Sequence, residues 1–342
     1  DPSNAALKQI LPANRYLERR PDDIGGPLFV LGMTLDRQKR LYIASNQQNK
    51  ATRPYQNIVT IYRSSSVTNG HPSELNPWFQ TNYPGSPAYI HAVENIAFGP
   101  DGHLYAGNGG RTDGGLTSPD SEWFGGGETP ITGCLWRIKT DVQPPTLEVY
   151  ARGTRNAYGF CWNAAGEMFA TENGPDADAP EELNVLSAGG HFGFPYQFSD
   201  WDKPAYPHTP ATPQGLKITR PFRNLGPAAL GADGPTSTFT PHSCPCAIVE
   251  LEADWPTPLG GQFIVARFGN LISQSGGYDL LRLKLDFVAG TAETHELISP
   301  LGRPIALVKL SGHRLLIAEY TRGTTLGAGL STPGRLLILE PK

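Results

Sequence analysis

Polar residues at the ends of apolar segments are the first candidates for chemistry in this chain. His91, in YIHAVENIAFGPDG, carries an imidazole that can accept a proton from a hydroxyl group at neutral pH. Arg155 and Asn156 combine a planar, permanently charged donor with an amide that both donates and accepts hydrogen bonds. Arg267 and Arg303 add two further cations at strand ends. Together these residue types suit an anionic ligand that carries several carboxylates.

An acidic segment, ENGPDADAPEELN at 172–184, is a candidate metal site. It holds five carboxylates and, around Gly174 and Pro175, main-chain carbonyls of the kind that a hard cation such as Ca²⁺ binds. The spacing does not match the calcium loop of an EF-hand. On spacing alone the structural alternatives stay open: a solvated acidic loop, a loop histidine bonded to the backbone, and surface ion pairs of the arginines.

The elements that must position these residues form a repeat. Five segments share an apolar strand, a turn with Asp or Gly, and a second apolar strand, which is the pattern of a β-hairpin. They lie at 31–45, 95–108, 159–172, 261–267 (with a blurred first strand) and 305–319. A further strand of alternating pattern follows each hairpin, at 57–64, 133–141, 181–187, 278–286 and 334–342.

Repeated antiparallel units of three or four strands predict an all-β fold, a β-propeller. Six blades are the favoured number and five the alternative, with the sixth sought within 1–30 or 195–242. We expect one propeller domain over 1–342, with long loops at 110–132 and 195–242. Two β-sandwiches are the competing architecture. Loops on one face of a propeller surround a central channel, so polar residues at strand ends are expected to converge there.

The composition narrows the classes of partner. Gly 39 and Pro 32 in 342 residues indicate many turns, and a net charge of −4 without a basic run argues against nucleic acid. No apolar stretch reaches the roughly 18 residues of a membrane span. The chain begins without Met or a signal-peptide core, so we expect a soluble, processed protein. The four cysteines lack the Cys-x-x-Cys spacing of zinc or redox sites.

Several motifs together resemble the soluble quinoprotein glucose/sorbosone dehydrogenase family. They are HAVENIAFGPDGHLY, RGTRNAYGF, TENGPDADAPEELN with the following GGHFGFP, and the late GRPIALV. The resemblance covers roughly 24–342 and is most specific in 151–195. It implies a six-bladed propeller that holds pyrroloquinoline quinone (PQQ) with Ca²⁺ and oxidises an aldose or a related sugar.

The resemblance also implies catalytic and cofactor-binding roles. His91 matches the general base that takes the proton of the anomeric hydroxyl while hydride passes to the quinone. Arg155 and Asn156 match a pair that contacts PQQ, and Arg303 matches an arginine that binds a cofactor carboxylate. Arg267 is the cation nearest to the place of a family lysine.

Two calcium sites follow from the resemblance in the same way. Gly174 and Pro175 match residues whose carbonyls hold the PQQ-bound Ca²⁺. Glu182 and Phe192 are the counterparts of ligands to a second, structural calcium that some members carry.

One departure from the family pattern concerns the histidine. The family places an Asp that supports the active-site histidine where this chain has Gly110, in LYAGNGG, and Asp113 or Glu94 is the candidate substitute. The leading prediction is therefore a PQQ-dependent sugar dehydrogenase, periplasmic or secreted, that passes electrons to an external acceptor. The alternative is a non-catalytic propeller that binds a glycan, a protein or PQQ through a degenerate site, and a calcium-dependent lactonase ranks third.

Overall fold

The computed structural model describes most of the chain. The described residues are 11, 28–69, 71–85, 91–115, 127–201, 203–207, 209–226, 230–231, 234–235, 238–270, 276–323 and 332–341. Their regular secondary structure consists of strands, and no helix occurs among them. In particular, this part of the chain contains no helix long and apolar enough to cross a bilayer. The predicted all-β class is confirmed.

The first two sheets have four antiparallel strands each. The first sheet has the order β1 (Leu28–Leu35), β2 (Leu41–Asn49), β3 (Gln56–Thr68) and β4 (His71–Pro84). The second has the order β5 (Val93–Phe98), β6 (Leu104–Asn108), β7 (Cys134–Lys139) and β8 (Thr146–Arg152). Each strand is thus paired with the next one along the chain, which is a meander.

Three further sheets repeat this meander. The third is β9 (Gly159–Trp162), β10 (Met168–Glu172) and β11 (Glu182–Leu186). The fourth has β15 (Pro245–Glu250), β16 (Phe263–Arg267), β17 (Asp279–Asp286) and β18 (Thr291–Ile298), with β12 (Arg223–Asn224) parallel to β18. The fifth is β19 (Pro304–Leu310), β20 (Arg314–Glu319) and β21 (Leu336–Leu339). A short ribbon joins β13 (Leu230–Gly231) and β14 (Gly234–Pro235).

This succession of sheets is the blade arrangement of a β-propeller, so the predicted fold is confirmed. The described residues form five blades, the alternative number in the prediction rather than the favoured six. Of the two places sought for a sixth blade, 1–30 lies mostly outside the described residues. The other, 195–242, contributes only β12 and the β13–β14 ribbon.

The chain divides into two compact units. One consists of the described residues of Asp1–Ala106, Thr117–Thr129 and Arg137–Glu148. The other consists of those of Gly107–Leu116, Pro130–Trp136 and Val149–Lys342. The expectation of a single domain over 1–342 stays a prediction. No disulfide joins the four cysteines, all of which are described.

The second unit is built on central strands whose side chains are buried on both faces. Every residue of β10 and of β16 is buried, as expected for apolar strands paired on both sides. The Phe169 side chain of β10 is fully buried, and its ring centroid lies 4.5 Å from that of Phe263 in β16. This core fixes the two hairpins whose ends carry Arg155 and Arg267.

We expect Phe169→Ala to lower the free energy of unfolding of the protein by about 3–5 kcal/mol, because it removes a fully buried ring and leaves a cavity. Phe287→Ala is the matched control, since the Phe287 ring packs 5.8 Å from Phe169 but is 53% exposed. Phe287→Ala should lower the free energy of unfolding by less than about 1 kcal/mol. Urea denaturation followed by circular dichroism measures both variants. Equal losses in the two variants would contradict this description of the core.

Candidate functional site

The structure brings the two ends of the β9–β10 hairpin into direct contact. The Arg155 amide donates to Glu172 Oε1 at 2.5 Å, and Arg155 Nη1 donates to the carbonyl of Asn173 at 3.1 Å. The Asn173 amide in turn donates to the carbonyl of Asn156 at 3.0 Å. The arginine-asparagine pair before the hairpin and the acidic segment after it therefore form one site, as expected from the strand pattern.

Asp113 holds the guanidinium of this site. Arg155 Nε donates to the Asp113 carbonyl at 2.9 Å, and Arg155 Nη2 forms an ion pair with Asp113 Oδ1. The Asp176 amide lies 3.2 Å from Asp113 Oδ2, and the Tyr206 hydroxyl donates to the same oxygen. We call Asp113, Arg155, Asp176 and Tyr206 the Asp113 clasp. It ties the two ends of the β9–β10 hairpin to the segments that carry Asp113 and Tyr206.

Gly110 has a packing reason to lack a side chain. Its amide donates to the Arg155 carbonyl at 2.6 Å, which brings the backbone of the 107–116 segment against the site. A Cβ at Gly110 would lie 2.6 Å from Cζ of the Phe194 ring, closer than real Cβ contacts allow. An Asp in this position would therefore require Phe194 to move. Asp113, one of the two candidate substitutes for that Asp, is instead committed to Arg155.

Arg267 and Arg303 both have protein partners. Arg267 donates from Nε and Nη2 to the two carboxylate oxygens of Asp279, at 2.8 and 2.5 Å, and both side chains are buried. Arg303 donates to the carbonyls of Gly269 and Asn270, each at 3.0 Å. Its guanidinium also lies 4.9 and 5.1 Å from the ring centroids of Phe268 and Tyr278. Arg267 thus pairs β16 with β17, and Arg303 binds the residues that directly follow β16.

The charges of the predicted cofactor arginines affect two neighbouring buried groups. Burial raises the pKa of Glu181 to about 8, and the positive charges of Arg155 and Arg267 partly oppose this shift. Burial also raises the pKa of the Cys244 thiol to about 12, and Arg303 and Arg155 partly oppose that shift. That these arginines share one cofactor site stays a prediction.

A pair of buried carboxyls lies beside Arg155. Glu172 and Glu182 face each other across β10 and β11, and Asn184 Nδ2 donates to both, at 3.2 and 2.9 Å. Burial, and then the neighbouring Glu182, hold the pKa of Glu172 well above its usual range. Burial raises the pKa of Glu182 to about 7. The Ser199 amide donates to the other oxygen of Glu182, so both of its oxygens accept from protein donors.

The remaining predicted site residues are placed as follows. His91 is half-buried, two residues before β5, and belongs to the first unit, whereas the other predicted residues belong to the second. Gly174 is half-buried and Pro175 is buried in the segment after β10. Phe192 is buried, and its amide donates to the Arg152 carbonyl at 2.9 Å. Among the described residues, no group of three His, Cys, Asp or Glu side chains could hold a metal ion.

Sequence reasoning missed the partners of the predicted residues. Asp113 was considered only as a possible support for His91, Glu181 only as one of the five carboxylates of the acidic segment, and Tyr206 was given no role. Asp113 and Tyr206 are 93 residues apart, and each lies in a Gly- or Pro-rich loop where strand periodicity carries no information. The only available signal was chemical, because a buried arginine requires an acid or several carbonyls nearby.

We expect Asp113→Asn to lower the free energy of unfolding by about 1–3 kcal/mol, because it leaves the buried Arg155 guanidinium without its carboxylate. Tyr206→Phe should cost about 1 kcal/mol, and the double variant should cost less than the sum because both changes act on the same carboxylate. Urea denaturation measures these values. Asp178→Asn, at a carboxylate that is 83% exposed, serves as the control and should change the stability by less than about 0.5 kcal/mol.

The pKa of Glu181 predicts a pH dependence of stability. Between its ordinary value of 4.5 and about 8, the unfolded chain releases this proton while the folded protein retains it, so stability falls as the pH rises through this window. Glu181→Gln should remove that part of the slope, whereas exposed Glu167→Gln should not. Urea denaturation at pH 5 and pH 8 tests this, and an unchanged slope in Glu181→Gln would show that this carboxyl is ionised in the folded protein.

Solved structures with the same fold include three sugar dehydrogenases. PQQ-bound aldose sugar dehydrogenase from Streptomyces coelicolor shares 21% identity, with 95% of this chain and 83% of that chain covered and a TM-score of 0.61. Apo soluble aldose sugar dehydrogenase from Escherichia coli shares 13% identity, with 95% of this chain and 86% of that chain covered and a TM-score of 0.61. The holo PQQ domain of pyranose dehydrogenase from Coprinopsis cinerea shares 14% identity, with 88% of this chain and 92% of that chain covered and a TM-score of 0.51. Identities this low establish the fold alone.

Sequence comparison identifies the family. No protein of curated function matches the chain significantly. The family model described as Glucose / Sorbosone dehydrogenase matches residues 30–221, which is more than half of the chain and includes the Asp113 clasp and the acidic segment. The chain therefore belongs to the glucose/sorbosone dehydrogenase family.

Proposed function

We propose that this protein is a PQQ-dependent oxidoreductase that oxidises an aldose or a related sugar. The observation that carries the proposal is that the family match spans the site at Arg155, Asn156 and Asn173. It is supported by the fold that the chain shares with a PQQ-bound aldose sugar dehydrogenase and with a holo PQQ domain.

The donors of Arg155 fit an anionic, carbonyl-rich cofactor. A guanidinium has five N–H groups, and the described partners of Arg155, Asp113 and Asn173, accept from three of them, which leaves two for a ligand. Burial raises the pKa of Glu181 to about 8, so this carboxyl adds little negative charge at pH 7. We therefore assign cofactor contacts to Arg155 and Asn156, and electrostatic support to Arg267 and Arg303.

A bound PQQ supplies the two-electron acceptor that a sugar oxidation requires. The Asp113 clasp would orient Arg155 toward that group, since three of its N–H groups are already fixed. His91 would accept the proton of the anomeric hydroxyl, which is the role of a neutral imidazole near pH 7.

Calcium belongs to the same proposal. The main-chain carbonyls of Gly174 and Pro175 are hard oxygen ligands next to Asn173, the residue that accepts from Arg155. Glu182 and Phe192 are proposed for a second calcium, for which Glu182 would have to exchange its present donors, Ser199 and Asn184. We further propose a periplasmic or secreted location and an external electron acceptor.

The second candidate is a propeller that binds its ligand without turnover. The observation in its favour is Gly110, where the packing against Phe194 excludes the side chain that supports the family's histidine. Such a protein would retain the Arg155 site and bind PQQ or a glycan there. The two candidates differ in turnover and not in binding.

The test is a titration of the apoprotein with PQQ in the presence of Ca²⁺, followed by a panel of aldoses. We expect PQQ to bind at micromolar concentration and its quinone absorbance to change when sugar is added. Arg155→Gln should weaken PQQ binding at least tenfold because it removes the charged donor. Arg152→Gln is the matched control, since Arg152 is exposed and donates to the Pro130 carbonyl.

His91→Ala separates the two candidates. For a dehydrogenase we expect normal PQQ binding and loss of the sugar-dependent absorbance change. Binding of PQQ by the wild-type protein without any sugar-dependent change would favour the non-catalytic propeller. Failure to bind PQQ with Ca²⁺ present would overturn the proposed cofactor.

A further inference from the structure

A cleft of about 460 Å³ lies within the 195–242 segment, to which no motif assigned a role. Its volume is in the range of small-molecule sites, roughly 300–1,000 Å³. The residues of its lining that carry useful chemistry are Tyr196, Gln197, Trp201, Lys203, Thr209 and Arg220. The cleft thus combines two aromatic rings, two cations, an amide and a hydroxyl.

The floor of the cleft is held by short-range contacts. The amides of Tyr196 and Gln197 donate to the Gly193 carbonyl at 2.9 and 3.0 Å, and Gln197 Nε2 donates to the Trp201 carbonyl at 3.2 Å. The Trp201 side chain packs against the buried cluster that contains Phe194 and Phe198. The aromatic wall is therefore anchored to the protein interior, although it belongs to a long loop.

Two cations are among the described residues that line the cleft. Lys203 Nζ lies 4.6 Å from the centroid of the Trp201 ring, and Arg220 Nη1 donates to the Ser199 carbonyl at 3.1 Å. Among the described residues that line the cleft, none carries a carboxylate. Two cations beside a neutral polar wall can form charge-assisted hydrogen bonds with one ligand anion. The rings offer flat apolar surface to a ligand that also has a C–H face.

The cleft adjoins the Asp113 clasp through one residue of its wall. Thr209 Oγ1 accepts from the Tyr206 amide at 3.0 Å and donates to the Gly114 carbonyl at 3.1 Å. The Tyr206 hydroxyl donates to Asp113, the partner of Arg155. The segment that forms one side of the cleft thus also forms part of the site at Arg155.

We propose that this cleft binds a sugar carboxylate, with the anion between Lys203 and Arg220 and the carbon skeleton against Trp201 and Tyr196. Binding of an acid sugar in this cleft is inferred from the lining residues alone. A role of the cleft in the reaction rests on the proposed function. Under that function the carboxylate has two sources. It belongs either to a uronic acid ring of the substrate or to the open-chain aldonic acid that forms when the lactone product is hydrolysed.

The test uses the full-length apoprotein without PQQ, so its outcome does not depend on turnover. Calorimetric titrations compare glucuronate, gluconate, glucose and inorganic phosphate. We expect an acid sugar to bind at least tenfold more tightly than both glucose and phosphate. Tighter binding of glucuronate assigns the cleft to a substrate ring, and tighter binding of gluconate assigns it to the product. Both outcomes support the proposal.

The variants Lys203→Gln and Arg220→Gln should each weaken binding of the acid sugar at least fivefold, and Trp201→Ala should weaken it too. Lys217→Gln is the matched control, since Lys217 is exposed in the same segment and is not among the lining residues. The two cation variants and the control should retain the melting temperature of the wild type. The proposal would be overturned if no acid sugar binds, if phosphate binds equally well, or if both cation variants keep the wild-type affinity. None of these outcomes bears on PQQ binding or turnover, which are measured separately.

Discussion

A buried guanidinium that must be matched by acceptors is the constraint around which the site of this protein is organised. The Arg155 side chain is 8% exposed, so its charge is stabilised mainly by protein groups. Asp113 and the Asn173 carbonyl supply them, and Asp113 is itself fixed by Asp176 and Tyr206. Removing one partner of such a pair lowers the free energy of unfolding by much more than the intact pair contributes to it. The reason is that the other charge is left buried and uncompensated. Segments that share no strand are thereby held together.

The same constraint shapes the surroundings of the arginine. Burial raises the pKa of the nearby Glu181 carboxyl to about 8, although the charges of Arg155 and Arg267 oppose this shift. The backbone at Gly110 approaches Arg155 closely enough to donate to its carbonyl, and Phe194 fills the space that a side chain would need. Loss of the family's usual Asp at this position is thus part of the packing of the site.

Much of the fold was predictable because strand patterns are local. All five hairpins and all five strands that follow them occur in the structure, since alternation and turn residues are read within a dozen positions. The additional strands β4, β8 and β18 were missed because they lie after the recognised units, although turn residues precede them, such as Asn69-Gly70 before β4. The types of the site residues were also predictable, but their partners were not. Asp279, for example, satisfies Arg267 through a strand pairing that sequence spacing does not reveal.

The central claim is that the Arg155 site serves a quinone that oxidises sugar. An anaerobic single-turnover experiment tests it most directly, with holoprotein prepared from PQQ and Ca²⁺ and mixed with an aldose in the absence of an electron acceptor. The claim predicts that one equivalent of quinone per chain is reduced and that one equivalent of the sugar lactone forms. Reduction of less than a tenth of an equivalent by every aldose, in protein that has demonstrably bound PQQ, would contradict it.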